Sequence, residues 1–192
     1  MIYRVSLLLT FITLLYLDGV TQTFQIDKGH TNVSFEVNRF GTVNVSGRFD
    51  DFSGQLTYDA TENVVKSVSF SIVVNSLNTG HEIRDGHLLG EMWLDADSHK
   101  KINFECENVV KGPDGFTAIG KLTIRGVSQD VRLPFEIVGP FVDPTKKNTI
   151  GVALNASINR QDYGITFSKL MDNGALFIGN QVNIRVNALF QQ

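Results

Sequence analysis

Residues 64–74 read VVKSVSFSIVV, and this run decides the fold. Val64, Val68, Phe70, Ile72 and Val74 fall on one side, while Ser67, Ser69 and Ser71 fall on the other. Apolar residues two apart share a face only in an extended strand, whose side chains alternate between its two surfaces. A strand with one apolar and one polar face pairs antiparallel around a single interior.

The same period extends in both directions. In TNVSFEVNR (31–39), Val33, Phe35 and Val37 share a face, with Ser34, Glu36 and Asn38 opposite. VNVSGRF (43–49) aligns Val43, Val45, Gly47 and Phe49, and FSGQLTYD (52–59) aligns Phe52, Leu56 and Tyr58. Further runs follow at INFECENVV, FTAIGKLTI, DVRLPFEIVG, TIGVALNASI and VNIRVNALF. Roughly nine strands, joined by turns such as Gly112-Pro113-Asp114-Gly115, predict an all-β protein. It is either a closed antiparallel barrel or a two-sheet sandwich. A sandwich fills its core with its own side chains, whereas a barrel of about eight strands leaves room for one small ligand. The inward set is rich in Phe (Phe35, Phe49, Phe70, Phe104, Phe135) and aliphatics, with almost no charge. Periodicity does not distinguish a packed interior from a hollow one, and on pattern alone the packed interior leads.

Composition is consistent with this reading. A chain of 192 residues with 42% hydrophobic content forms one domain with a sizeable core. The net charge of −3 and the lack of a basic patch argue against a nucleic-acid partner. Seventeen Gly and four Pro suit a turn-rich β protein. The N-terminus reads differently. MIYR supplies a positive charge, VSLLLTFITLLYL an apolar run, and DGVTQT small residues where a peptidase can cut. That order predicts a secretory signal over 1–23, cut after Thr21 or Thr23, and a periplasmic or secreted domain over 24–192. The apolar run is shorter than the ~20 residues that span a bilayer; an uncleaved anchor is the alternative. Cys106, the single cysteine, alternates with Ile102 and Phe104 and is expected inside as a small apolar group.

Residues 75–95, NSLNTGHEIRDGHLLGEMWLD, break the strand pattern. Ile83, Leu88, Leu89 and Met92 or Trp93 approximate a helical face, and Asn78-Thr79-Gly80 offers N-cap candidates. Such a helix across a barrel mouth contributes Leu88 and Trp93 as apolar contacts. Arg84 and Asp85 point about 100° apart on a helix, so each is expected to find its partner on another strand, as a structural brace. His87 is expected to be a hydrogen-bonded structural residue. No clustered Cys/His spacing, GxSxG elbow, P-loop or GxGxxG is present, and adjacent Asp50 and Asp51 face opposite sides of a strand. Neither catalytic residues nor metal ligands are expected. Sequons at Asn32, Asn44 and Asn155 matter only in a eukaryotic secretory pathway.

The chain resembles the YceI family of secreted bacterial lipocalin-like proteins that bind polyisoprenoids. FQIDKGHTNVSFEVNRFG (24–41), VSGRFDDFSGQL (45–56) and VNSLNTGHEIRDGHLLGEMWLD (74–95) carry the likeness. It continues through KINFE (101–105), GKLTIRGVSQDVRLPFEIVG (120–139), NRQDYGI (159–165) and IGNQVNIRV (178–186). The ordered set ID-x-x-H-T, N-T-G-x-x-x-RD-x-HL and G-x-LTI-x-GV is specific. Asn38 departs from a frequent family His, and Trp93 from the usual Phe. The resemblance implies a hollow antiparallel barrel of eight or nine strands, with a helical segment over 81–92 near its covered side. This reverses the leaning toward a packed core. It implies a long isoprenoid cargo, the tail of a quinone or a prenyl phosphate, and no other cofactor. Phe35, Phe49, Phe70, Trp93, Phe104, Leu122, Phe135 and Leu154 are then the expected ligand-lining residues. Asp27, His30, Arg84, Asp85 and His87 form the structural motif. Tail burial alone implies little head-group recognition. Transient membrane contact and a homodimer are the other partners considered. The competing readings are an enzyme using His30, His87 and Asp85 at the barrel mouth, and a stress-response barrel with incidental lipid.

Overall fold

The alternation read from the sequence becomes ten strands in the computed structural model, which describes residues 21–192. In chain order they are β1 (Thr21–Arg39), β2 (Val43–Phe49), β3 (Phe52–Asp59), β4 (Val64–Val73) and β5 (Leu77–Asn78). After helix α1 (Glu82–Leu89) come β6 (Lys101–Gly112), β7 (Gly115–Ile124), β8 (Val127–Val142), β9 (Asn148–Asn159) and β10 (Ile178–Gln191). Residues 1–20 of the expected signal segment lie outside the described residues. Thr21, Gln22 and Thr23 already pair with Asp59, Tyr58 and Thr57.

The fold is a closed, eight-stranded antiparallel barrel with a short helix. Closure comes from β1 against β10, which completes the circuit β10-β9-β8-β7-β6-β4-β3-β1. The long β1 pairs with β3 at its start and with β2 at its end. Strands β2 and β3 therefore act as one stave bent at Asp50-Asp51. The short β5 extends β4 in the same way, pairing with Arg48 and Phe49 of β2. Each pair of neighbours is antiparallel, as the one-sided apolar pattern requires.

Two local departures re-aim side chains. Between Thr57↔Ser67 and Tyr58↔Val65 the β3–β4 register shifts. A bulge of this kind places two residues opposite one and reverses the parity beyond it. Val65, at 2% exposure, is the buried residue, and Val64 is only half-buried, which corrects the inward assignment of Val64. A second shift lies between Glu105 and Asn108. There Gly120 of β7 leaves room that a Cβ would take from the Glu105 carbonyl and Cys106. Cys106 is free and buried, and its thiol donates to the Asn108 carbonyl at 3.2 Å.

The two ends of the barrel differ. At the lower end, where β1 begins and β10 finishes, Phe24 and Ile150 are fully buried, and Tyr58, Val65 and Phe190 nearly so. At the upper end, where β1 finishes at Arg39 and β10 begins at Ile178, the wall residues Phe35, Phe70, Leu154, Ile158 and Ile184 are only partly covered. The barrel is packed below and hollow above.

Helix α1 covers part of the upper end. Its N-cap is His81, whose Nδ1 accepts from the Arg84 N–H at 3.4 Å, in place of the expected Asn78-Thr79-Gly80. Asn78 instead folds back on the Gly80 N–H at 2.9 Å. The helix stops at Leu89, three residues short of the expected end at Met92, because the chain at Gly90 turns extended. Leu88, Leu89, Trp93 and Leu94 pack against the core.

Candidate functional site

The hollow half encloses a cavity of about 900 Å³. Its walls are the inward faces of the strands, its floor includes Leu56, Phe135, Ala188 and Phe190, and its roof is α1 with the segments 90–94 and 160–167. Ile83 and Met92 line it and are 68% and 63% exposed, so the cavity reaches solvent beside the helix. A volume of this order accommodates an extended lipid tail or a drug-sized molecule.

Phe35, Phe49, Phe70, Trp93, Phe104, Leu122, Phe135 and Leu154 all border this cavity. Local sequence explains how. Gly47 of β2 has no side chain, and a Cβ there would strike the Phe35 ring, so that ring lies across β2 and meets Phe49 at 5.7 Å between centroids. Phe70 stacks on Phe52 at 5.8 Å, and Phe135 on Phe116 at 5.5 Å, fixing the aromatic walls. At the roof, Trp93 packs against Phe167 at 5.2 Å.

The charged motif residues do not gather. His30 Nδ1 bonds Asp27 at 2.8 Å on an exposed part of β1 outside the cavity. This bond, ahead of the Gly29 N–H, holds the Asp27 carboxyl below its usual range. Asp50 and Asp51 turn to Arg48 and Lys28 in separate pairs. Among the described residues Arg84 and Asp85 find no partner on another strand, which corrects the expectation. Both close on Thr79, in the loop just before the helix. Arg84 donates to the Thr79 hydroxyl and carbonyl at 2.7 and 2.8 Å. Asp85 accepts from the Thr79 N–H at 3.0 Å and from its hydroxyl. Asp85 faces a shallow depression beside Asp50 and Asn78 rather than the cavity. His87 borders the cavity and is exposed, with no side-chain hydrogen bond among the described residues. His30, Asp85 and His87 therefore lie in three different settings. Among the described residues no three His, Cys, Asp or Glu side chains assemble as metal ligands do.

Four further residues shape the mouth and were not singled out from sequence: Arg39, Arg160, Phe167 and Phe177. Arg160 is 3% exposed and opens a 3₁₀ turn over Arg160–Tyr163. It donates to the carbonyls of Gly179 (3.0 Å), Ile165 (2.6 Å) and Ile178 (3.3 Å), and to Asn180 Oδ1 (2.8 Å). Its guanidinium lies 5.6 Å from the Trp93 ring. Burial lowers its pKa, and an arginine nonetheless remains protonated. Tyr163 lines the same end, and burial, then the Asp162 charge, push its hydroxyl up to about 12. The signal for both arginines was present in the sequence. Arg160 continues the inward phase of Val152, Leu154, Ala156 and Ile158, and Arg39 that of Val33, Phe35 and Val37.

Comparison with known proteins agrees with this architecture. A UPF0312 protein of Yersinia pestis (strain Pestoides F) is 33% identical over 77% of this chain and 78% of its own length. The crystal structure of the Campylobacter jejuni YCEI protein is 28% identical, covers 86% of this chain and 95% of its own, and superposes with a TM-score of 0.69. A polyisoprenoid binding domain from Saccharophagus degradans, implicated in plant cell wall breakdown, shares the fold with a TM-score of 0.63. It is 17% identical and covers 88% of this chain and 97% of its own. The description "YceI-like domain" matches residues 24–190, from the first buried residue of β1 to the last of β10, and the chain belongs to that family.

Proposed function

We propose that this protein holds one long-chain isoprenoid lipid, a quinone or prenyl phosphate, in its upper cavity, and acts outside the cytoplasm as a carrier or sequestering protein without a chemical step. The observation that carries this is the cavity of about 900 Å³ with an apolar wall on every strand. Burying hydrocarbon stabilises a complex by about 0.8 kcal/mol per CH₂. One five-carbon unit thus contributes roughly 3–4 kcal/mol before ordering costs, and a few units exceed the cost of association. The description of the Saccharophagus degradans domain as polyisoprenoid binding supports the choice of cargo. The apolar run 5–17 behind a basic N-terminus supports export. Separation of His30, Asp85 and His87 supports binding without catalysis.

The test is extraction of protein purified without detergent, followed by mass spectrometry of the lipid. One dominant isoprenoid species is expected. A mixture that mirrors the bulk membrane lipids would overturn the reading.

A further inference from the structure

We infer that the cavity selects a lipid with an anionic head, a phosphate or a carboxylate, which Arg39 and Arg160 receive at its mouth. The inference rests on the lipid-binding reading above and adds the head group.

Among the described residues three arginines line the cavity, Arg39, Arg84 and Arg160, and Glu91 is the single carboxylate residue. Glu91 is exposed. None of the three arginines belongs to an ion pair among the described residues, although the chain as a whole carries a net −3. Arg84 has the Asp85 carboxylate on the far side of the Thr79 hydroxyl, so the charge left without a carboxylate partner at the mouth is that of Arg39 and Arg160.

Arg39 is the sharpest case. Its guanidinium lies over the rings of Phe40 and Phe177 at 4.6 and 5.0 Å, and its Nε is buried without a hydrogen-bond partner. No side-chain hydrogen bond to Arg39 exists among the described residues. Nε is covered by protein, and the donors open to a ligand are the two Nη groups, which make no hydrogen bond among the described residues and are not buried. Arg160 is satisfied in hydrogen bonds but not in charge, because its four acceptors are neutral. The two residues share one corner of the barrel. Arg39 pairs across the sheet with Ile178, whose carbonyl receives Arg160 Nη2. The Arg39 guanidinium presents paired donors that match two oxygens of a phosphate or carboxylate, whereas the donors of Arg160 are largely taken and it contributes its charge. A neutral alcohol accepts one such bond and leaves both charges unmatched.

Isothermal titration of the delipidated full chain with farnesyl monophosphate, farnesol and palmitate tests this. Farnesyl monophosphate is expected to bind at least about tenfold tighter than farnesol. Arg39→Gln is expected to bring it close to the level of farnesol, with the fold checked by circular dichroism. Should Arg39→Gln fail to fold, Arg39→Lys keeps a charge but not the fork and is expected to reduce the preference. Palmitate matching farnesyl phosphate assigns the site to anionic lipids generally; palmitate binding no tighter than farnesol assigns it to phosphate. Equal affinity for farnesol and both anions overturns the inference and leaves the lipid-binding reading intact. A preference that survives the Arg39 variants also overturns it. Failure of all three ligands to bind counts instead against the lipid-binding reading.

Discussion

The Asp85 carboxylate receives both the main-chain N–H and the hydroxyl of Thr79, six residues earlier in the chain. Together with the two bonds from Arg84 to the same residue, this ties the first turn of α1 to the loop that leads into it. The helix has eight residues, none of them buried, too few to persist without such an anchor.

Asp85→Ala and Arg84→Ala are each expected to destabilise the protein. Removing a charged partner from a half-buried hydrogen bond costs about 1.5–3 kcal/mol. At this chain length that corresponds to a fall in Tm of roughly 3–12 °C. Thr79→Val, which deletes the shared hydroxyl, should not add fully to either change, since the bonds form one unit. Thermal melts of the singles and doubles check this; full additivity would show that the two residues act separately.

Trp93 is the only tryptophan, lines the cavity and contacts both Phe167 and the Arg160 guanidinium. Titration of delipidated protein with a long-chain quinone or polyprenol is therefore expected to give a saturable change in intrinsic emission, absent in Trp93→Phe. Calorimetric binding with no change in emission would place the ligand away from the roof.

The two halves of the barrel should respond oppositely to volume changes. Ile150 is fully buried below the cavity. Ile150→Ala is expected to cost about 2–5 kcal/mol in urea unfolding and to leave lipid loading intact. Ala156 faces the cavity. Ala156→Phe fills empty space, so it is expected to change stability little but to shorten or exclude the lipid recovered by mass spectrometry. A large loss of stability from Ala156→Phe would mean that the hollow half is closed.

Acid sensitivity is expected to come from the lower turns. The Thr145 hydroxyl first, then the N–H groups of Lys147 and Thr145, hold the Asp143 carboxyl below its usual 3.8. The Glu62 N–H, followed by that of Thr61, does the same for Asp59. A carboxyl whose folded pKa is depressed contributes stability above its unfolded pKa and loses it as pH falls through the folded value. Tm should be level from about pH 7 to about pH 5 and decline below about pH 4. In Asp143→Asn the neutral form is less stable but the acid decline is shallower. An unchanged slope in that variant would remove Asp143 from the acid response.

Strand identity and direction were legible in the sequence because the two-residue period is local: each residue's face follows from its neighbours in the chain. Phe35, Phe49, Phe70, Phe104, Leu122, Phe135 and Leu154 could be assigned to one interior on that basis, and Cys106 with them. Parity failed where a bulge intervened, so Val65 rather than Val64 is buried, since one extra residue reverses every face beyond it. The helix near residue 82 was visible as a change of period, but its cap was not, because His81 takes that position through the geometry of the loop.

Other features were decided only by tertiary structure. Whether the interior is filled or empty depends on how far apart the curved sheet holds opposite walls, and that distance is set when β1 meets β10 across the whole length of the chain. The partners of Arg84 and Asp85 depend on the path of the loop that brings Thr79 beneath the helix. Arg39 and Arg160 were legible as residues in the inward phase of β1 and β9. Their convergence at one corner, without a carboxylate between them, required the register that sets Arg39 opposite Ile178. Alternation specifies which side of a strand a residue faces; closure specifies what it faces there.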